Sequence, residues 1–179
     1  PYTTLFRSEI QTLDFSKNTD TYSGTIIGNT GANLLRVNAK GKAVPELAKS
    51  VKVSKDGLNY TATLRSGLKW SDGSSFTAKD FVYSWQRIVD PKTASQYSYL
   101  ASGVKNADAI TAGKAKVSTL GVSAKGNVIT FKLERAMPQF NYLLTFANFM
   151  PQKQSFVEKQ GKKYGTTSAK QLYSGPYKF

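Results

Sequence analysis

Residues 53–91 read VSKDGLNYTATLRSGLKWSDGSSFTAKDFVYSWQRIVDP, and two periods in that stretch decide the fold class. Leu58, Tyr60, Ala62 and Leu64 alternate with Asn59, Thr61, Thr63 and Arg65. That is the period of a strand with one buried face. Val51 to Ser54 alternates as well, and Lys55-Asp56-Gly57 lies between the two runs, so the spacing predicts a β-hairpin. From Thr77 to Val89 the period becomes helical. Phe81, Ser84, Trp85, Ile88 and Val89 fall at i, i+3, i+4, i+7 and i+8, an apolar stripe with Ser84 as its single exception. Thr77 can cap the helix, and Asp80 three residues on gives a box-like start with Asp in place of Glu. Asp90-Pro91 ends it.

Outward from this block the signals weaken. Toward the N-terminus, residues 25–37 (TIIGNTGANLLRV) carry apolar residues at 26, 27, 34, 35 and 37. Gly24, Gly28 and Gly31 make a poor helix, each costing about 1 kcal/mol against Ala. Period alone leaves helix or strand open there. Toward the C-terminus, residues 104–112 predict a short helix ending at Gly113. Residues 128–133 predict a strand after a Gly126-Asn127 turn. Pro138 with Phe140, Leu143 and Leu144 predicts a short helix, and residues 156–161 another, ended by Gly161. Strands and helices mix without βαβ alternation, so the class is α+β. No internal repeat or low-complexity segment is present.

Composition sets limits on function. The chain has 179 residues, 40% hydrophobic and 12% aromatic, enough to bury a core. No apolar run approaches the ~20 residues of a membrane-spanning helix. Cys and His are both absent. That removes disulfides, thiolate metal sites, the commonest general base and any Ser-His-Asp or Cys-His pair within this chain. With no paired-carboxylate constellation either, the residues speak against an enzyme. The net charge is +14, from 25 Lys and Arg against 11 Asp and Glu. The lysines are scattered, and Lys162-Lys163 is the only tight pair, so no dense basic tract points to nucleic acid. A solvated basic surface, suited to an anionic cell envelope, is the simpler reading.

The block 53–91 resembles the extracytoplasmic peptide-binding proteins of oligopeptide ABC transporters, bacterial extracellular solute-binding protein family 5. That family shows S-x-D-G-x-x-Y-T-F-x-L-R, then K-W-S-D-G-x-x-x-T-A-x-D-F-V-Y-S-W-x-R, then D-P-x-T-A-S. Here Ser54, Asp56-Gly57, Tyr60-Thr61, Leu64-Arg65, Lys69 to Gly73, Thr77-Ala78, Asp80 to Trp85, Arg87 and Asp90 to Ser95 match. EIQTLD at 9–14 resembles the family's opening strand. VPELAKSVKVS, VKNADAITAGK, LGVSA, MPQFNYLLTF, VEKQGKKYG and SGPYKF follow in the family's order. Three places depart from the pattern. Ala32-Asn33 replaces a Glu-Gly pair, Val51 stands where Trp is usual, and Ala62 stands where an aromatic is usual, which reduces core volume.

The resemblance implies a periplasmic-binding-protein-like fold with an extra small α+β domain. By the same mapping residues 32–153 are that small domain, and residues 9–31 and 154–179 are two pieces of the first lobe. Family members are much longer, so the chain is expected to be an N-terminal fragment whose flanks expose strand edges and aggregate. The distal acidic anchor for a peptide amino terminus would lie beyond Phe179. Large apolar anchors in the block (Trp70, Phe76, Phe81 and Trp85) are expected to be scaffold rather than ligand contacts.

For binding, the resemblance implies two segments. One is Thr19, Asp20, Thr21 and Tyr22, following the first strand and offering main-chain groups to an extended peptide. An exposed loop is the alternative, with Asp20 simply solvated. The other is residues 95–100, where Tyr97 matches the family's contacting tyrosine and Tyr99 lies two residues on. Packing of both rings on one strand face is the alternative. The implied function is capture of oligopeptides outside the membrane for delivery to ABC permease subunits. The protein would be a monomer with no cofactor and no nucleic-acid partner, in the periplasm or held at the cell surface by a lipid anchor. Alternatives are a receptor of the same superfamily for nickel, haem, an opine or a signalling peptide, or a basic surface adhesion protein. The first eight residues, PYTTLFRS, have no counterpart in the family. Their alternation could form an edge strand. They are also the translation of CCC TAC ACG ACG CTC TTC CGA TCT, which resembles a short-read sequencing adapter, and residues 1–8 are therefore expected not to be native.

Overall fold

The computed structural model describes residues 10–179. The octapeptide 1–8 and Glu9 lie outside the described residues. A four-stranded antiparallel sheet forms the centre, in the order β3 (Ala48–Val53), β4 (Asn59–Leu64), β6 (Val128–Lys132), β5 (Val122–Lys125). The predicted hairpin is β3–β4, with Val51 opposite Ala62 and Val53 opposite Tyr60. Its turn is held by Asp56, whose Oδ1 accepts from the Leu58 N–H at 2.9 Å, and by Gly57 at φ +71°. Tyr60, Ala62 and Leu64 are buried, as alternation requires. The Gly126-Asn127 turn joins β5 to β6. A small ribbon of β1 (Leu35–Val37) and β2 (Ala43–Pro45) lies apart from this sheet.

Helix α2 (Ala78–Val89) packs its stripe on the sheet's inner face. Its start is the expected one: Thr77 precedes it, and the Asp80 carboxylate accepts from the Thr77 N–H at 2.8 Å. Trp85 is fully buried, 4.1 Å from Phe149 in a stack and 5.1 Å from Phe131 edge-on. Ser84, the exception in the stripe, is also fully buried, and its hydroxyl donates to the Met150 carbonyl. Trp70, Phe76 and Phe81 are buried in the same core. The helices expected near 104–112, 138–144 and 156–161 are α3 (Ala107–Thr111), α4 (Phe140–Leu143) and α5 (Gln154–Gln160).

One N-terminal expectation needs correction, and one open reading is decided. Residues 10–14 form no strand; Leu13 N–H makes one bond to the Gly165 carbonyl at 2.8 Å. Residues 21–30 are a helix, α1 (Thr21–Thr30), despite Gly24 and Gly28, and the strand β1 follows it. Ile27 is fully buried there and forms a second small core with Phe15 and Met150. Tertiary burial thus outweighs the glycine penalty.

Candidate functional site

The route to the site starts at α2, whose two ends of influence reach both walls. Arg87 in its last turn holds Asp14 through two bonds of 2.9 Å, and it also donates to Gln152. Asp14 in turn caps a 3-10 turn at Phe15–Lys17, accepting from the Ser16 N–H at 3.0 Å. Asn148, buried, donates to the carbonyls of Phe15 and Asn18 at 2.8 and 2.9 Å. These bonds fix the backbone that leads into Asp20. There Asp20 Oδ1 accepts from the Ser23 N–H at 2.8 Å and starts α1. That bond holds the Asp20 carboxyl below the ordinary carboxylate range.

The other wall also leaves from α2. Asp90 caps a 3-10 turn at Pro91–Thr93, Ala94 turns the chain in the left-handed region at φ +53°, and Tyr97 follows. Asp90 is therefore both the C-cap of α2 and the N-cap of the next turn.

The two walls meet. A cavity of about 260 Å³ is lined by Asn18, Thr19, Asp20 and Thr21 on one side and by Tyr97, Phe146, Ala147 and Asn148 on the other. Of the six residues expected from sequence, Thr19, Asp20, Thr21 and Tyr97 come together here. Tyr22 and Tyr99 do not line the cavity; they are exposed at 55% and 64%. Residues 19–22 are also not a free loop after a strand: Thr21 and Tyr22 open α1, where the first N–H groups of a helix lack intrahelical acceptors. Tyr97 and Tyr99 share no strand face, because Tyr97 precedes a 3-10 turn at Ser98–Ala101; their rings are 6.1 Å apart. The Tyr97 ring instead meets Phe146 edge-on at 5.6 Å.

Sequence reasoning missed Asn18 and residues 146–148. Asn148, polar within the apolar run FANFM, is the one signal that could have marked them. Asn18 Oδ1 and Asp20 Oδ2 are buried acceptors without a hydrogen-bond partner. Such groups gain most from a donor brought by a ligand. The arrangement is thus a polar lip with an aromatic wall. None of Trp70, Phe76, Phe81 and Trp85 lines it. Among the described residues no group of three His, Cys, Asp or Glu side chains could hold a metal ion.

The family model for bacterial extracellular solute-binding proteins, family 5 (middle region), matches residues 42–179. The chain belongs to this family. This family 5 chain is similar to the dipeptide-binding protein of Lactococcus lactis subsp. cremoris (strain MG1363), with 47% identity over 173 residues, 96% of this chain and 32% of the relative. Among solved structures it is similar to the substrate-binding domain of an oligopeptide ABC transporter from Bacillus anthracis str. Ames, with TM-score 0.93 and 44% identity over 95% of this chain and 33% of that one. It is likewise similar to Listeria monocytogenes OppA bound to peptide, with TM-score 0.93 and 35% identity over 96% of this chain and 34% of that one. The family 5 chain therefore spans about a third of the length of these relatives. Its fold is periplasmic-binding-protein-like, as expected. No helix among the described residues is long and apolar enough to cross a membrane.

Proposed function

We propose that this chain is part of the solute-binding component of an oligopeptide ABC importer, working outside the membrane and passing peptide to permease subunits. It has no catalysis of its own. The observation that carries the reading is the cavity that joins Thr19–Thr21 to Tyr97. A peptide would lie extended across it, its main chain bonding the opening of α1 and the acceptors of Asn18 and Asp20, with a side chain against Tyr97 and Phe146. Support for the ligand class comes from the peptide-binding relatives.

Residues 32–153 would be the small domain and residues 9–31 and 154–179 parts of the first lobe. In favour of this, Phe15 and Ile27 sit in a small cluster apart from the main core; Met150 joins that cluster and Leu172 joins the main core, so packing ties the proposed parts together. Residues 171–175 return beside the start of that core: Gly175 N–H donates to the Thr30 carbonyl at 2.9 Å, and Ala32 N–H to Ser174 Oγ at 3.0 Å.

The test is a thermal-shift screen of a peptide library against a full-length protein carrying this sequence, followed by calorimetry on the best peptide. Tyr97→Ala should weaken binding by about tenfold or more, since truncating a central aromatic contact commonly costs above 1 kcal/mol. Stabilisation by no peptide, or unchanged affinity on Tyr97→Ala together with Asp20→Ala, would overturn the reading.

A further inference from the structure

The positive charge of this chain is left open by the way its carboxylates are used. Each Asp and Glu among the described residues accepts a hydrogen bond from a neighbouring side chain or backbone N–H. They cap helices, close turns and pin loops. Among the described residues one ion pair exists, Arg87 with Asp14, against 25 Lys and Arg in the chain. The cations are thus largely unneutralised at short range.

One surface concentrates the consequence. The inner face of the four-stranded sheet is covered by α2; the outer face carries no covering element among the described residues. Strand register places Lys52, Thr61, Thr130 and Ser123 in one row across all four strands. Lys125 and Lys132 flank that row on neighbouring rows of the same face. All three lysines are exposed. With strands about 4.8 Å apart and residues about 3.4 Å apart along them, the lysine Cα atoms form a triangle with sides of roughly 12–16 Å. No carboxylate stands on that face, and no aromatic ring does either.

We propose that this outer face docks a phosphodiester-linked polyol or sugar polymer, a polyanion of the cell-envelope type. The lysine triangle supplies the charge complement, and the hydroxyl row between the lysines supplies hydrogen bonds to phosphate oxygens and polyol hydroxyls. A single-stranded nucleic acid fits less well, because its bases need aromatic platforms that the face lacks. The surface is separate from the cavity at Tyr97, so the polymer would tether the receptor without occupying its ligand site.

The experiment measures binding of a full-length protein carrying this sequence to purified poly(glycerol phosphate), with neutral dextran and a single-stranded oligonucleotide as comparators. Three lysine contacts should lower affinity about twentyfold between about 50 and about 200 mM salt, taking the single-strand slope. The K52Q/K125Q/K132Q variant should lose at least tenfold in affinity and most of the salt dependence. K159Q/K162Q/K163Q, with the same change in net charge at exposed sites elsewhere, should bind as wild type. T61V/T130V, with no change in charge, should weaken binding severalfold. Equal losses in the two lysine triples would mean that net charge alone is at work and would overturn the proposal. Equal affinity for the oligonucleotide, or no binding to the polymer at low salt, would overturn it as well.

Discussion

Arg87 and Asp14 face each other in a two-bond pair, Nη1 to Oδ1 and Nη2 to Oδ2, each at 2.9 Å. The side chains are 14% and 4% exposed. Arg87 also lies 5.2 Å from the centre of the Tyr164 ring. This one guanidinium therefore joins α2, the segment before α1, and the segment after α5. Removing one partner leaves a buried charge alone, which costs about 3–5 kcal/mol. Arg87→Met should destabilise the chain by that order, read as a lowered urea midpoint. The double variant Arg87→Met with Asp14→Leu should recover part of the loss. A double variant as unstable as the sum of the singles would argue against a coupled pair.

The role of Ser84 can be tested through its partner. Its hydroxyl is the polar spot on the buried stripe of α2 and satisfies the carbonyl of Met150. Ser84→Val keeps the size near and improves apolarity, yet it strips that carbonyl of its donor. A cost of about 1–3 kcal/mol follows from the orphaned acceptor. If Ser84→Val instead raised the melting temperature, the hydrogen bond would be of no consequence.

Asp80 gives a pH signature. Burial pushes its carboxyl above the ordinary range, opposed by bonds from the Thr77 N–H and the Trp70 indole N–H. A folded value above the unfolded one means that the stabilising contribution is complete below the unfolded pKa. It is lost as pH rises through the folded pKa. Wild type should therefore lose stability relative to Asp80→Asn as pH climbs just past the ordinary carboxylate range. Urea melts of both proteins at a series of pH values will show it, and a difference independent of pH would refute the linkage.

The legible parts of this chain were those with a strict local period and a cap. The hairpin β3–β4 and helix α2 announce themselves through alternation, Asp56-Gly57, Thr77 and Asp80. Strands β1, β2 and β5 are three or four residues long, too short to show a period. Helix α1 was hidden for a different reason: Gly24 and Gly28 argue against it, and what holds it is Ile27 against Phe15 and Met150, contacts distant in sequence. The cavity was half legible. Motif order pointed to Thr19–Tyr22, Tyr97 and Tyr99, of which Tyr22 and Tyr99 do not line the cavity, and nothing local shows that Phe146–Asn148 closes the same space.

Two departures from the family pattern, noted separately along the chain, turn out to be one feature. Val51 and Ala62 are direct cross-strand partners on β3 and β4, and Ile129 on β6 is the partner of Ala62 on its other side. Ala62 is fully buried between them. Directly opposed Cβ atoms lie only about 4.5–5.5 Å apart, so the sizes of these side chains constrain one another. A large residue at 62 must push on Val51, Ile129 or the Tyr60–Phe140 pair, whose rings are already 4.6 Å apart. Ala62→Phe should then cost about 1–3 kcal/mol through overpacking. Val51→Trp, at the half-buried edge strand, should cost less, because one side of it is open. Placing both large residues in one chain should be worse than the sum, since each occupies the room the other needs. Denaturation midpoints of the two singles and the double decide the matter: additive losses would show that the pair packs independently, and a rescued double would show that the sheet can widen here.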